Sequence, residues 1–554
     1  MTDFFLNATM GVNPPSVGVA TFDGLDKNGV PYNLGGVNVS SPADTLLSRP
    51  INLSSHGFND STVYLSFFYQ PTGYGDDPEF EDSIVLEGKD ISGNWKLLWH
   101  KSATTLAPFK LVMVPIKGSD SFFYDGFQFR FTNMASPTGN LDHWHIDYVY
   151  MASGRSKNDT AFKDQAFVYL PKSVLKDYQS IPARHYYRNT NQKDLFKANN
   201  TARVFNNYNK KVFPNFRYDV TSVKEKKIFA KTSSLGSTTQ QINPKDTLSF
   251  SLRLRDSANV NVFINSDTIE LLTRNTLIPQ LQNDSIVGNN VSYRRQKFTS
   301  FYAYDDGTAE KGYGLINSIG KVALKFNTKV DDSLQGVLIR FNYSLEDVSK
   351  KIFKLMVWKN ISPLNTIANP AKEVIIYQSD NMTPIYSTGY GNLVYIPFPN
   401  RIKTGLGDFY IGWYQTDKYL LNVGLDANYG DEFTGGKPNE NLFYNSEGTW
   451  RQTAYPYTPI IRPVFGVPTF VSVPKIENEK AEIILYPNPA QDYLKINCNK
   501  RISKIELIDV LGRNYTVNFK ENILGTSELN SGFYLVKLFI DGEQNPQIKR
   551  FLKQ

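Results

Sequence analysis

The sequence predicts an all-β protein assembled from several β-sandwiches, and three observations carry that expectation. Aromatic residues make up 14% of the chain, with 33 Tyr and 37 Phe, side chains that suit a pleated, half-buried surface. Short apolar runs recur between turn clusters such as Asp26-Lys27-Asn28-Gly29 and Gly73-Tyr74-Gly75-Asp76-Asp77-Pro78, a spacing that argues for sandwiches rather than alternating strands and helices. The length of 554 residues leaves room for roughly three to five domains, each able to bury a core.

Residues 1–155 read as a jelly roll with strands at Val17 to Phe22, Val63 to Tyr69, Ser83 to Glu87, Trp95 to His100, Lys110 to Ile116, Phe127 to Thr132 and Trp144 to Met151. Residues 156–298 read as a basic linker followed by an Ig-like sandwich. A short helix is expected over Ser173 to Tyr178, capped by Ser173, with strands at Phe216 to Val223, Lys226 to Thr232, Thr247 to Arg253 and Val260 to Ile264. Residues 299–466 repeat the first domain weakly. Tyr304-Asp305-Asp306-Gly307 parallels Phe22-Asp23-Gly24, and Leu355-Met356-Val357-Trp358-Lys359 parallels Leu97-Leu98-Trp99-His100-Lys101. Phe409 to Trp413 and Val423 to Asp426 then take the places of Phe127 to Phe131 and His145 to Asp147, so a second jelly roll is expected. Pro468 and Pro474, with interspersed Lys and Glu, make residues 467–479 a solvated linker.

Residues 480–554 read as a small β module. Pro487 and Pro489 remove backbone donors around Asn488, so no helix or central strand can run through them. Ile505 to Val510 alternates towards Leu511-Gly512-Arg513, Leu529-Asn530-Ser531-Gly532 precedes a strand from Phe533 to Ile540, and Asp541-Gly542 turns the chain into a last strand, Ile548 to Lys553.

The formal charge of +7 is unevenly spread, −8 over residues 1–150 and +13 over 151–300. A basic segment suits an anionic polysaccharide, a nucleic acid or the acidic first domain. No helix-turn-helix, zinc-finger or RNA-binding motif accompanies it, which argues against nucleic acid. One cysteine, Cys498, excludes an internal disulfide. No run approaches the roughly 20 apolar residues of a membrane span. The first residues lack the charged-then-apolar pattern of a signal peptide, so a mature or truncated form is expected.

Catalytic motifs are lacking. The five histidines lie at positions 56, 100, 143, 145 and 185. His143 and His145 fall on one face of a strand, but no third zinc ligand stands at an informative spacing. Gly-x-Ser-x-Gly, His-Glu-x-x-His and phosphate-cradling glycine loops are absent. Oxygen-rich clusters make calcium the more plausible ion. Asp76, Asp77, Glu79, Glu81 and Asp82 crowd one loop, Asp23 is expected to meet Asp147 across neighbouring strands, and Asp305, Asp306, Glu310 and Asp426 repeat that arrangement. Trp95 and Trp99, four apart on one strand and hence on one face, and Tyr74 at a glycine-flanked loop tip are the candidate sugar-stacking residues.

Two resemblances sharpen this. The Tyr486-Pro487-Asn488-Pro489 opening, the Ile505–Arg513 block with Gly512, the Leu529–Leu538 segment with Gly532 and the basic last strand with Lys549, Arg550 and Lys553 resemble the type A C-terminal sorting domain of the Bacteroidetes type IX secretion system. That resemblance implies a β-sandwich read by the outer-membrane translocon and, in that family, usually removed by a sortase, and hence a secreted or surface-attached cargo. Pro15–Gly24, Phe127–Phe131 and Asp142–Val149 resemble MAM or concanavalin A-like jelly rolls, which bind glycans or other proteins and are seldom catalytic. The expected function is non-catalytic binding or adhesion of a glycan or surface protein, with structural calcium fixing the loops. The alternatives are a carboxylate-based glycan-degrading or peptidase accessory enzyme and a structural stalk.

Overall fold

The computed structural model describes the chain except residues 1–3, 38, 232–239, 279–283, 285, 344–345, 362–372, 429–437, 467–482, 499–501, 510–512, 516, 521 and 541–545. The linker and the turns at Gly512 and Asp541-Gly542 therefore lie outside the described residues. The fold is nearly all β, with antiparallel sheets throughout, and one six-residue α-helix, Ala183–Arg188, among the described residues. It divides into two compact units, 1–476 and 477–554.

In the first sandwich, Phe5–Asn7, Val19–Phe22, Trp144–Ala152, Tyr64–Pro71 and Lys110–Pro115 pair in that order. Ser41–Leu47, Phe129–Ala135, Ser83–Lys89 and Trp95–Ser102 form the second sheet. Alternation along Phe129–Ala135 sends Phe129 and Phe131 inward, where Phe131 meets Phe67 of the other sheet edge-on at 4.8 Å. All seven expected strands are present with ends shifted by a few residues. Ser41–Leu47 is an additional strand, and its Pro42 is tolerated because the strand lies at a sheet edge.

Between residues 165 and 298, a three-stranded sheet (Gln165–Phe167, Asn199–Asn206, Thr247–Arg253) accompanies a four-stranded one (Ile228–Lys231, Asn215–Ser222, Ile269–Ile278, Val291–Phe298). Ser173 to Tyr178 is not a helix. The Ser173 hydroxyl accepts from the Leu175 N–H at 3.1 Å but donates to the Tyr178 carbonyl at 3.0 Å, closing a loop. The helix instead starts after Pro182, whose missing N–H costs nothing at a helix start. Val260 to Ile264 is not a strand either. The Asn259 side chain accepts from the Asn261 N–H and starts a 3-10 turn over Val260–Val262.

The third region holds the sheet Val374–Gln378, Phe353–Asn360, Gly407–Gln415, Gly320–Thr328, Leu442–Asn445 and Arg451–Gln452, with two smaller three-stranded sheets. One hydrophobic cluster runs through this region and the preceding one, from Phe167 to Phe465. Backbone bridges from Ser180 to Ala303 and from Pro182 to Thr299 tie them together. The first sandwich joins the third region through Tyr390, whose ring stacks on Phe5 at 3.9 Å.

The C-terminal unit is a two-sheet sandwich. Asn514–Tyr515, Ile502–Asp509, Gly532–Ile540 and Gln547–Lys553 form one sheet and Ile483–Tyr486, Tyr493–Cys498, Ile523–Gly525 and Phe519–Lys520 the other. Tyr534, Val536, Leu538 and Ile540 alternate into its core, with Cys498 among them as a packed residue. No helix among the described residues is long and apolar enough to cross a membrane.

Candidate functional site

Two Asp-Gly turns anchor the polar chemistry of the larger unit. In the third region, the Asp306 carboxylate accepts from the Thr308 N–H at 2.7 Å, and the Asp306 N–H donates to Asp426 at 2.7 Å. Glu310 accepts from the Ala427 N–H at 3.0 Å, and the Asn428 amide donates to Asp306 and Glu310 at 3.4 and 3.2 Å. Asp306, Glu310 and Asp426 therefore meet as three buried carboxyls. Burial raises all three above the usual carboxylate range, Glu310 to about 7, and repulsion from Asp306 adds to the rise of Glu310 and Asp426. Asp305 is not part of this group, because the buried Arg462 guanidinium takes its carboxylate through both Nε, at 3.0 Å, and Nη2.

The turn at Asp23 is built alike. Its carboxylate accepts from the Leu25 N–H at 2.7 Å, and its N–H donates to Asp44 at 2.9 Å. Its other neighbours are the Tyr390 hydroxyl at 3.3 Å and His143 at 4.0 Å. Desolvation lifts it to about 7. Asp23 does not meet Asp147. Trp144 pairs with Phe22 and Ile146 with Ala20, so Asp147 falls at the far end of the strand, roughly 13 Å along at the usual rise. There it accepts from the Ser16 N–H at 3.1 Å and is raised by burial to about 8.

The acidic loop divides. Asp76, Glu79 and Asp142 bring carboxylate oxygens within 4.8 Å of one another, whereas Asp77 turns aside to accept the Thr72 hydroxyl at 2.6 Å. Asp142 was not anticipated; it lies 63 residues beyond Glu79 in the sequence. Asp82 accepts from the Glu79 N–H at 2.8 Å. Burial raises Asp142 to about 8 and Asp76 to about 6.

Both ring nitrogens of each histidine in the pair are engaged. His143 accepts from the Asp76 N–H at 2.9 Å and pairs with the Asn140 side-chain oxygen at 3.0 Å. His145 lies between the Thr21 hydroxyl at 2.9 Å and the Thr72 carbonyl at 3.1 Å. Burial lowers the pKa of both. The glycines beside Tyr74 admit these rings: a Cβ on Gly75 would lie 2.3 Å from His143 and one on Gly73 2.2 Å from His145. Tyr74 is accordingly half-buried, its N–H donating to the Met10 carbonyl, and it is not an exposed loop tip.

Trp95 and Trp99 do not share a face. Trp99 pairs with Leu86 but Leu97 with Glu87, so Leu98 is an extra bulged residue that reverses the alternation. Trp99 turns in to meet Phe67 and Tyr69 at about 5 Å, while Trp95 lies outside beneath the Arg130 guanidinium at 4.3 Å.

A cavity of about 380 Å³ opens where the second and third regions meet. Tyr178, Tyr302, Tyr304 and His185 line it, and the charged groups of Asp177, Lys325, Lys329, Asp408 and Glu440 surround them. The phenols are fixed from behind. Tyr178 donates to the Asn327 carbonyl at 3.1 Å and Tyr304 to the Lys325 carbonyl at 3.0 Å. His185 bridges Asp332 at 2.8 Å and the Tyr302 hydroxyl at 2.9 Å, and Arg184 holds Asp332 at 2.7 Å. Desolvation lowers His185 to about 4. An ionised Asp332 accepts from the Nε2–H of the neutral imidazole, leaving Nδ1 to accept from the Tyr302 hydroxyl.

In the smaller unit the opening motif clasps the last strand. The Asn488 side chain accepts from the Leu552 N–H at 2.9 Å, and Pro487 and Pro489 flank it. The Ala490 N–H donates to the Leu552 carbonyl at 2.7 Å. Gly532 pairs with Lys553, Leu535 with Arg550 and Val536 with Lys549, and Arg550 lies over Phe533 at 5.1 Å.

Residues 484–554 match the family model of the secretion system C-terminal sorting domain. No curated protein matches. Among solved structures, the chain is similar to a Bacteroides uniformis β-glucuronidase at 9% identity and TM-score 0.19, covering 48% of this chain and 27% of that one. A putative β-galactosidase from Bacteroides fragilis gives 9% identity and TM-score 0.18, covering 52% and 36%. The BSP domain of a biofilm-associated protein gives 10% and 0.13, covering 94% and 98%. The chain thus spans about a quarter to a third of the two sugar hydrolases, and TM-scores this low carry no argument about activity. The sorting domain marks the chain as a type IX secretion cargo, secreted or held at the cell surface.

Proposed function

We propose that this cargo is a non-catalytic binding protein of the cell exterior that holds a carbohydrate in the cavity between its second and third regions. The observation that carries this reading is the preformed pocket itself. Its volume of about 380 Å³ falls in the range of small-molecule sites, phenol rings offer apolar faces to a sugar ring, and the surrounding carboxylates and ammonium groups suit hydroxyls. The rings are already fixed by backbone hydrogen bonds, so little ordering is needed on binding. Trp95 and Tyr74, the surface residues expected from the sequence, support binding less well, being covered by Arg130 and by loop packing.

The Asp332–His185–Tyr302 relay favours a second reading, in which the same pocket performs proton transfer on its ligand. An oligosaccharide array probed with the full chain, followed by titration of each hit, tests both. Binding weakened at least about tenfold by Leu195→Trp, which fills the pocket, supports the site; about 1.4 kcal/mol corresponds to that factor. Unchanged binding in that variant, or no hit on the array, overturns it. A shortened or rearranged sugar recovered after incubation, and lost with Tyr302→Phe, establishes the enzymatic reading instead.

A further inference from the structure

We infer that Asp76, Glu79 and Asp142 form a binding site for one calcium-like divalent cation in the first sandwich. The site is independent of the carbohydrate cavity. Three carboxylate oxygens from two loops lie within 4.8 Å of one another, a separation that oxygen ligands around Ca²⁺ span at their usual distances of about 2.3–2.6 Å.

Proximity of acids alone would mean little, but Asp142 is fully buried and half-satisfied. One of its carboxylate oxygens accepts from the Ser136 N–H at 2.6 Å, while the other has no hydrogen-bond partner. That carboxyl faces Glu79, another acid. An unpaired buried anion facing a second anion is costly unless a cation or a proton lies between them.

The backbone is also arranged to put it there. Asp142 adopts φ +58°, a left-handed conformation uncommon for residues with a side chain. Its neighbours do not supply the missing charge. Asp82 is a further acid beside Asp142. Lys311, reaching in from the third region, is bonded to the Gly75 carbonyl and influences Asp76; it offsets one negative charge of four.

The ligand set selects the ion class. Only hard oxygens point inward, and the nearby His143 has both nitrogens engaged, which disfavours zinc and suits calcium or magnesium. Asp77, committed to Thr72, is outside the site.

Titration calorimetry of the chelator-stripped full chain with CaCl₂ to about 10 mM, above the affinity range of extracellular calcium modules, tests this, with MgCl₂ as the second arm. One site is expected, with a rise in Tm. Asp142→Asn and the exposed Glu79→Gln should each weaken binding at least about tenfold, while Asp77→Asn leaves it unchanged. Glu79→Gln keeps the test decisive if Asp142→Asn fails to fold. No heat with either ion, or binding that survives both variants and disappears with Asp426→Asn, overturns the assignment.

Discussion

Asp23 and Asp306 occupy the same turn in two regions of the molecule and live in opposite surroundings. Each precedes a glycine, accepts from the N–H two residues on, and donates its own N–H to a second aspartate, Asp44 or Asp426. Around Asp23 the remaining neighbours are a phenol and an imidazole. Around Asp306 they are Glu310 and Asp426, with Asn428 bridging. The local turn is thus set by the Asp-Gly pair, whereas burial raises both carboxyls, and the groups around them come partly from nearby in the chain, as Glu310 does for Asp306, and partly from more than a hundred positions away, as Tyr390, His143 and Asp426 do. The preceding residue differs too. Phe22 is buried in the first core, and its counterpart Asp305 is buried against Arg462.

That last contrast yields the largest expected effect. Arg462→Ala leaves Asp305 buried and unpaired and should cost about 3–5 kcal/mol in the unfolding of the larger unit, measured by denaturant titration. Asp305→Phe combined with Arg462→Met, which imports the arrangement of the first sandwich, should recover most of the loss. A single variant that costs less than about 1 kcal/mol would show the pair to be hydrated, and the two turns to be less different than their burial indicates.

The next effect is pH-dependent. Asp306, Glu310 and Asp426 have folded pKa values above their unfolded ones, so between those values the native state holds more protons than the unfolded chain. Stability therefore falls as pH rises from about 4 to beyond 7. Asp426→Asn removes one of these groups and should raise Tm by about 2–4 °C at pH 8 while changing little at pH 4. Asp23→Asn should act in the same direction but more weakly, because one raised carboxyl is involved and not three. A Tm lowered equally at both pH values by Asp426→Asn would mean that the three carboxyls are ionised and held by a cation, which would make them a second metal site.

Much of this was legible in the sequence wherever the signal is local. In the C-terminal module the three strands read from alternation are present as Ile502–Asp509, Gly532–Ile540 and Gln547–Lys553, whereas the facing sheet from Ile483–Tyr486 to Phe519–Lys520 was not read, its strands being shorter and the first of them running into Pro487. The seven main strands of the first sandwich were equally legible from period-two alternation. What alternation cannot reveal is a bulge: inserting Leu98 alone turned Trp99 into the core while Trp95 stayed outside. Register across strands was lost in the same way, so Asp147 was matched to Asp23 when its partner is Ser16. The cavity was invisible because Tyr178, His185, Tyr302, Lys325 and Asp408 come from separate segments joined only by packing. Asp142 had a signal, an acidic residue at a loop beside two histidines, but its distance from Glu79 hid the relation.

The smallest expected effect isolates the contact that gives the Asp23 turn its milder character. Tyr390 reaches the carboxylate from the third region at 3.3 and 3.4 Å, long for a hydroxyl bond and worth about 0.5–1.5 kcal/mol. Its hydroxyl favours the ionised form of Asp23, whose pKa is already raised to about 7 by desolvation. Tyr390→Phe keeps the ring stacked on Phe5 and removes only that donor. The penalty should therefore be largest at pH 8, where Asp23 is ionised in both states, and should shrink at pH 5, where the native carboxyl is protonated. Denaturant midpoints of the two proteins at both pH values measure this. A penalty independent of pH would assign the role of Tyr390 to packing between regions, and the charge of Asp23 would then be governed by its burial and by the Leu25 N–H.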